Sequence, residues 1–218
     1  MKYLKLFAVA LMCMLLPAIG IVFYKYQTSM KYNKLKPVKL RNGDIIFQTS
    51  MSGQSKAIQL ATHSPYSHCG IVYQQGGGWY VFEAIQPVTV TPLAKWVKRG
   101  KDAHYVVKRL KDADQVLTAE VQQQMLREGN KMRGKNYDLH FEWSDKRIYC
   151  SELVWKLYDR SAHVQVGELQ QLKDFDLSHP AVQAKMIQRY GKHLPLNEPV
   201  ISPSAIYNSP RLVTVVEG

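Results

Sequence analysis

The chain has 218 residues, of which 46% are hydrophobic and 21% are charged, so it can bury a sizeable core without metals or disulfides, and a disordered chain is excluded. Lysine and arginine number 29 against 17 acidic residues, and the net charge of +12 at pH 7 suits an anionic partner such as a phospholipid surface or an acidic cell-wall polymer. Nucleic acid is excluded as a partner, because the basic residues are dispersed and no zinc-finger or single-strand-binding motif is present.

The N-terminus is typical of a targeting segment. Lys2 and Lys5 precede an uncharged run, residues 6–24, which is long enough as a helix to cross the roughly 30 Å hydrocarbon layer of a bilayer. Ala18-Ile19-Gly20 is a poor cleavage site, so residues 1–25 are interpreted as a signal anchor, with a cleaved signal peptide as the alternative. We expect an exported protein, periplasmic or on the extracytoplasmic side of the inner membrane and tethered by this run. The lysines that follow it leave the orientation open.

Residues 26–37 are polar and rich in lysine, and we interpret them as a linker to a folded domain over residues 38–218. Arg41-Asn42-Gly43-Asp44 predicts a turn into a strand, Ile45–Phe47. A short helix is predicted next over Ser55–Thr62, because its apolar residues recur at helical spacing.

A β-hairpin follows, with strands predicted over His68–Gln74 and Trp79–Ile85 on either side of the glycine-rich loop Gln75-Gly76-Gly77-Gly78. Three further elements complete the predicted antiparallel sheet and its connection: a strand near Val88–Val90, a short helix over Leu93–Lys98 and a strand over Tyr105–Leu110. Thr118 then predicts the N-cap of a helix that ends near Gly134. Strands followed by helices are typical of an α+β domain.

Cys150 stands where an amphipathic helix is predicted to begin, in the sequence Tyr149-Cys150-Ser151-Glu152. The positive end of a helix dipole lowers the pKa of a thiol and favours the thiolate, which is the nucleophilic form. His68 lies on a predicted strand and is a candidate base for this thiol. Because neighbouring strand residues point to opposite faces, Cys69 is expected to face away from Cys150, and two free thiols are predicted.

Glu83 is the candidate third member of the site. If residues of the hairpin pair so that their numbers sum to 151 or 153, Glu83 lies on the same face as His68. An even sum would place it on the opposite face. In the correct register, the carboxylate accepts a hydrogen bond from one ring nitrogen, which fixes the tautomer and leaves the other nitrogen free to take the thiol proton.

These motifs resemble the circularly permuted papain-like amidases of the YaeF/YiiX type, within the NlpC-type cysteine hydrolase superfamily. The resemblance extends from about Arg41 to the C-terminus and includes the Gly43-Asp44 strand start and the segments around His68, Glu83, Tyr137 and Cys150. It implies a permuted papain-like fold, in which histidine precedes cysteine in the chain. It also implies that Cys150 is the nucleophile, His68 the base and Glu83 the orienting residue.

The chemistry implied is acyl transfer through a thioester, with the backbone N–H of Cys150 stabilising the oxyanion. Tyr66 or Tyr149 either supplies a second donor or packs in the core. Asp44 is a further candidate for the site, although a residue after a turn glycine is more often structural. No cofactor is expected, and a zinc site formed by His63, His68, Cys69 and Cys150 is disfavoured because no two of them have the usual ligand spacing.

Three alternative functions are compatible with these residues. The first is an amidase or peptidase that cleaves a peptide or another amide of the cell envelope. The second is an acyltransferase or phospholipase similar to lecithin:retinol acyltransferase. That family usually has Asn-Cys-Glu-His at the nucleophile, whereas this chain has Tyr149-Cys150-Ser151-Glu152. The third is a binding module that keeps the fold without turnover.

In the C-terminal region the sequence predicts one more helix, Ala181–Tyr190. Ser178-His179-Pro180 is typical of a helix start with proline at the first helical position, and Gly191 ends the helix. The segment from Leu194 to Pro210 contains four prolines, and we expect it to be extended or turning, along a substrate cleft.

Overall fold

The computed structural model describes residues 40–218. Six strands form one antiparallel sheet, and two further short strands pair with each other. In chain order the strands are β1 (Ile45–Gln48), β2 (His68–Gln75), β3 (Gly78–Glu83), β4 (Thr89–Pro92), β5 (Val106–Leu110), β6 (Gln170–Gln171), β7 (Pro199–Val200) and β8 (Leu212–Glu217). The order in the large sheet is β4-β3-β2-β1-β5-β8, so β2 lies near its centre.

Helices connect and cover the strands. They are α1 (Ser55–Thr62), α2 (Leu93–Arg99), α3 (Ala113–Val116), α4 (Ala119–Met132), α5 (Cys150–Ala162), α6 (Pro180–Tyr190) and α7 (Pro203–Tyr207), with short 3₁₀ turns at Lys101–Ala103 and Leu172–Asp174. None of the helices within residues 40–218 combines the length and the apolar character that a membrane span requires.

The two faces of the sheet bury different cores. Alternate strand residues such as Phe47, Ile71 and Phe82 pack with α4 and α5 in the larger core. Their neighbours on the opposite face form a smaller core around Trp96 of α2. Burial on both faces explains why Ile45, Ile46 and Phe47 of β1 are apolar without alternation, since all four residues of the strand, Gln48 included, are buried.

Most predicted elements are present. Helix α1 has the predicted bounds, Thr118 caps α4 through its side chain, and α5 begins at Cys150. In the hairpin, Ile71 pairs with Phe82, so paired numbers sum to 153. This sum is one of the two odd values that were required, so the condition is met and Glu83 lies on the same face as His68.

The prediction for the proline-rich C-terminal segment is wrong in part. Residues 203–207 form a helix, because Pro203 stands in its first turn, where no N–H is needed, and Ser202 Oγ accepts from the Ala205 N–H at 3.0 Å. Strand β8, which was not predicted, pairs with β5 at the edge of the sheet. The interpretations of residues 1–25 and 26–37 fall outside the described residues.

Candidate active site

Helix α5 holds Cys150 at its first position, and the residues around it fix that helix end. The Glu152 carboxylate accepts from the Tyr149 N–H at 3.3 Å and pairs with Lys156 at 2.6 Å. Burial raises the pKa of Glu152 to about 7, although the Lys156 ammonium opposes that rise. Ser151 Oγ donates to the Ile201 carbonyl at 2.7 Å. The orientation of Cys150 is therefore set by buried contacts on both sides of it.

His68 and Glu83 form a direct hydrogen bond across the hairpin. The imidazole Nε2 lies 2.6 Å from Glu83 Oε2, and both side chains are buried. When Nε2–H donates to the carboxylate, Nδ1 is the ring nitrogen left for Cys150. Trp96 stacks on the imidazole with a centroid distance of 5.8 Å and holds the plane of the ring.

Glu83 is fully buried, yet it accepts hydrogen bonds from three side chains besides His68. Thr91 Oγ1 donates at 2.6 Å, Trp96 Nε1 at 2.9 Å and Arg99 at 2.5 Å. Burial alone would raise the pKa of Glu83, but the hydrogen bond and charge of His68, followed by the bonds from Arg99 and Thr91, lower that pKa to about 2. The carboxylate is therefore ionised at neutral pH.

The environment of His68 favours the imidazolium. Burial would lower its pKa, but hydrogen bonds to Cys150 and Glu83 and the negative charges of both raise it to about 9. The pKa of Cys150 moves the other way, and lies well below its ordinary value. A hydrogen bond from the Cys69 thiol contributes most to the low pKa of Cys150, and burial opposes it. The hydrogen bond and the charge of His68 lower this pKa further. Both shifts favour the pairing of a thiolate with an imidazolium.

The orientation of Cys69 differs from the one predicted from the sequence. We expected this side chain to face away from Cys150, but its thiol donates to the Cys150 sulfur, and its backbone N–H also bonds to that sulfur. Cys150 meets the first residues of β2, so strand alternation does not separate the two side chains. Burial raises the pKa of Cys69 well above its ordinary value, so it keeps its proton. Both thiols are free, as predicted.

Tyr137 is a neighbour of Cys150 whose segment belongs to the family motifs but to which the sequence assigned no role in the site. A bridge to Ile148 places it beside the start of α5, and its hydroxyl is hydrogen-bonded to the Cys150 sulfur. Burial raises the pKa of Tyr137 well above its ordinary value, so the hydroxyl is a donor. Gln54 Nε2 donates to the same oxygen at 2.8 Å, and Arg189 donates to Gln54 Oε1.

Two cavities meet at this site. The first, here called the apolar chamber, is lined by Cys150 and mainly by aliphatic and aromatic side chains of α1, α6 and the loops around them, including Ala57, Ile58, Phe175, Val182, Met186 and Val200. The second, here called the polar groove, is lined by His68 together with serine, glutamine and basic side chains. Gln54, Tyr137, Lys185 and Arg189 line both cavities and form the wall between them.

The other three candidates have different positions. Tyr66 stacks on Tyr207 at a centroid distance of 4.4 Å and packs in the large core. Tyr149 lines the apolar chamber, but its hydroxyl accepts from the Ile201 N–H at 3.1 Å. Asp44 lies at the opposite end of β1 from the residue that pairs with His68, and it binds Arg109 at 2.7 Å. The structure therefore does not bring Tyr66 or Asp44 to Cys150.

Replacing Asp44 separates a structural role from a role in the site. Asp44→Asn removes the buried partner of Arg109, and we expect the free energy of unfolding to fall by about 3 kcal/mol in denaturant titration. We also expect the alkylation rate of Cys150 in the folded protein to stay unchanged. A slower rate at full folding would instead make Asp44 part of the site.

The sequence contains a signal for some of the residues that were missed. Trp96 and Arg99 are three residues apart on a short helix, so they share one helix face, and both donate to Glu83. The spacing of the two residues can be seen in the sequence, but the surface against which α2 packs cannot. Tyr137 and Gln54 lie outside regular elements at this point of the chain, so no periodicity marks them.

The fold, with a helix-opening cysteine that follows a strand histidine in the chain, is that of the permuted papain-like proteins. Residues 39–216 match the model of one protein family, described as permuted papain-like amidase enzyme, YaeF/YiiX, C92 family. The chain therefore belongs to this family. It is 50% identical to YiiX of Escherichia coli (strain K12) over 177 residues, which are 81% of this chain and 86% of that protein.

A solved structure has the same fold. The crystal structure of the metalloprotein YiiX from Escherichia coli O157:H7 superimposes with a TM-score of 0.78 at 50% identity, and the match covers 82% of this chain and 97% of that one. Within residues 40–218 of the present chain, no three histidine, cysteine, aspartate or glutamate side chains are grouped so that they could hold a metal ion together. The residues described therefore do not fit a metal site of that kind.

Proposed function

We propose that the protein is a cysteine-dependent amide hydrolase of the cell envelope, with Cys150 as nucleophile, His68 as base and acid, and Glu83 as the orienting residue. The observation that carries the proposal is the buried hydrogen bond between Glu83 and His68, whose imidazole and the Cys150 thiol at a helix N-terminus shift each other's pKa in opposite directions. The Cys150 sulfur attacks the amide carbon, and the imidazolium gives its proton to the nitrogen of the leaving amine. Water then attacks the thioester carbon, His68 takes a proton from this water, and the acid leaves.

The oxyanion requires donors that are fixed before the reaction. The backbone N–H of Cys150 has no acceptor within the helix at this first position, and the Tyr137 hydroxyl lies on the Cys150 sulfur. We assign these two groups to the oxyanion hole, because the oxyanion is bonded to the carbon that carries the sulfur and therefore forms within reach of donors beside Cys150.

Removing the Tyr137 hydroxyl tests that assignment. We expect Tyr137→Phe to lower kcat about 10²-fold for an amide substrate, because one oxyanion donor is lost while the ring still fills its place. Tyr66→Phe is the matched control, since Tyr66 packs against Tyr207 away from Cys150, and it should retain kcat. Equal kcat for wild type and Tyr137→Phe would contradict the assignment.

The amidase and the acyltransferase differ in what attacks the thioester, whereas a phospholipase differs from the amidase in cleaving a lipid ester in place of an amide. Trapping the acyl-enzyme by acid quench and mass spectrometry, then adding water alone or a primary amine, separates them. Hydrolysis that proceeds at the same rate with and without the amine supports the hydrolase. Preferential formation of the new amide would favour the acyltransferase, and ligand binding that survives Cys150→Ala without any acyl-enzyme would favour a binding module.

The cell-envelope location is proposed from the uncharged run at residues 6–24 and from the net charge of +12. A fusion of a periplasm-dependent reporter after residue 218 tests it. Reporter activity in intact cells supports export, and activity confined to the cytoplasm would contradict it.

A further inference from the structure

Cys69 is a buried thiol that the proposed mechanism does not use, and it lies on the face of the sheet that α5 covers. Its strand neighbour His68 points to the other face, where it meets Glu83 and Trp96. Because neighbouring side chains of a strand alternate between faces, Cys69 points toward the larger core. Cys69 and Cys150 are both members of that core. The strand register and the packing of α5 therefore bring the two sulfurs to the same side of the sheet.

The two sulfurs are also in direct contact. The Cys69 thiol donates a hydrogen bond to the Cys150 sulfur, and both cysteines are free and buried. Of the two, Cys150 lines the apolar chamber, so a small molecule that enters this cavity meets the Cys150 sulfur first. The pair therefore consists of one sulfur that a small oxidant can reach and a second sulfur held against it.

The two thiols differ in the way that this chemistry requires. A thiolate attacks a peroxide, and the sulfenic acid that forms condenses with an adjacent thiol before further oxidation makes the damage irreversible. The pKa of Cys150 lies well below its ordinary value, mainly through the hydrogen bond from Cys69, so Cys150 is the sulfur that attacks. Burial raises the pKa of Cys69, and the hydrogen bond to Cys150 and its negative charge raise it further. Oxidation of Cys150 removes that charge, so the pKa of Cys69 falls at the step in which Cys69 has to react.

We infer that Cys69 is a resolving cysteine, which closes a reversible disulfide with Cys150 after a hydroperoxide has oxidised the Cys150 sulfur. This role needs a reactive sulfur at Cys150, as the proposed function does, but it needs no turnover of an amide. The disulfide blocks the nucleophile and protects it from irreversible oxidation. A dithiol that reduces the disulfide returns both thiols.

The oxidation by hydrogen peroxide takes place in two steps. In the first, the Cys150 thiolate attacks one oxygen, the O–O bond breaks, and the leaving hydroxide takes a proton from the His68 imidazolium to form water. In the second, the Cys69 sulfur attacks the sulfur of the sulfenic acid, the S–O bond breaks, and the hydroxide leaves as water with the Cys69 proton. The two sulfurs together lose the two electrons that the peroxide gains. A dithiol returns two electrons and two protons and becomes a disulfide itself.

Peptide mapping of the full-length protein tests the disulfide directly. The reduced protein is treated with hydrogen peroxide, the remaining thiols are blocked with N-ethylmaleimide, and a digest made without reductant is mapped by mass spectrometry. We expect a peptide pair joined through Cys69 and Cys150. Labelling of Cys150 by iodoacetamide should be lost after peroxide and should return after dithiothreitol. A sulfinic acid at Cys150 beside a free Cys69 thiol, or a link from Cys150 to Cys13 instead, would overturn the inference.

A variant pair tests the protection of Cys150. Cys69→Ser keeps a hydrogen-bond donor beside Cys150 but has no sulfur, and Cys13→Ser removes the third cysteine of the chain as the matched control. Each protein is held in excess peroxide well past complete loss of Cys150 labelling and is then reduced with dithiothreitol. We expect Cys69→Ser to regain about tenfold less labelling than the wild type, because its sulfenic acid proceeds to sulfinic acid, whereas Cys13→Ser should regain as much as the wild type. Equal recovery in all three proteins would overturn the resolving role.

Labelling of the reduced wild type separates this inference from the proposed function. A Cys150 that labels selectively with iodoacetamide but forms no link to Cys69 under peroxide would overturn the resolving role alone. A Cys150 that neither labels selectively nor reacts with peroxide would overturn both the resolving role and the proposed nucleophile. The mapped link in the wild type decides the inference even where Cys69→Ser fails to fold.

Discussion

Replacing Cys150 by alanine is expected to abolish turnover of any amide that the protein cleaves, with kcat falling by about 10⁴-fold or more. The reason is specific to this structure: the thiol at the start of α5 is the reactive group on which His68, Cys69 and Tyr137 converge. The measurement is the rate of acid release, together with acid-quench mass spectrometry for the thioester. Cys150→Ala should show neither.

Cys69→Ala is the matched control for that result. Cys69 is also buried beside Cys150, but burial keeps its thiol protonated. Its thiol makes the largest contribution to the lowered pKa of Cys150, so we expect its removal to raise that pKa and to lower activity at neutral pH by about tenfold. A Cys69→Ala variant as inactive as Cys150→Ala, at full folding, would contradict the assignment of a single nucleophile.

Glu83→Gln is expected to lower kcat by about 10³-fold while the protein stays folded. The amide keeps the volume and one acceptor oxygen, but the negative charge that raises the pKa of His68 is lost, and the imidazole is no longer held in one tautomer. We expect the apparent pKa of His68 to fall in an NMR titration. Unchanged kcat in a folded Glu83→Gln protein would remove Glu83 from the mechanism.

The same substitution changes the pH dependence of stability. The pKa of Glu83 is about 2 in the fold against an ordinary 4.5, so its contribution is fully present above pH 4.5 and is lost as pH falls toward 2. His68 has a pKa of about 9 against 6.5, so its contribution is fully present below pH 6.5 and is lost as pH rises toward 9. Denaturant titrations of Glu83→Gln should lose the change between pH 4.5 and 2 that Glu83 causes in the wild type. If the free energy of unfolding of Glu83→Gln fell between pH 4.5 and pH 2 as much as that of the wild type, this linkage would be contradicted.

The sequence was sufficient to predict the parts of the site that depend on periodicity. The register of the β2–β3 hairpin follows from a short glycine loop, and it alone places Glu83 on the face of His68. Helix α5 begins at Cys150, where the apolar spacing starts. Both inferences use contacts within a hairpin or within a helix, which local sequence specifies.

The features that were missed depend on how distant segments pack. Tyr137 approaches Cys150 through a bridge to Ile148 within an irregular segment, and no pattern in those residues signals it. Cys69 contacts Cys150 because α5 meets the first residues of β2, which strand alternation cannot predict. The apolar chamber forms where α1 packs against α6, two helices separated by more than a hundred residues.

The most direct test of the thiolate–imidazolium pair is the rate of alkylation by iodoacetamide as a function of pH, with the modified cysteine mapped by mass spectrometry in wild type and His68→Ala. We predict selective labelling of Cys150 with an apparent pKa well below the ordinary value of 9, because Cys69 and then His68 stabilise the thiolate, and a rise of that pKa in the variant. Slow labelling of Cys69 and Cys150 alike, rising only near pH 9 and unaffected by His68→Ala, would contradict the account.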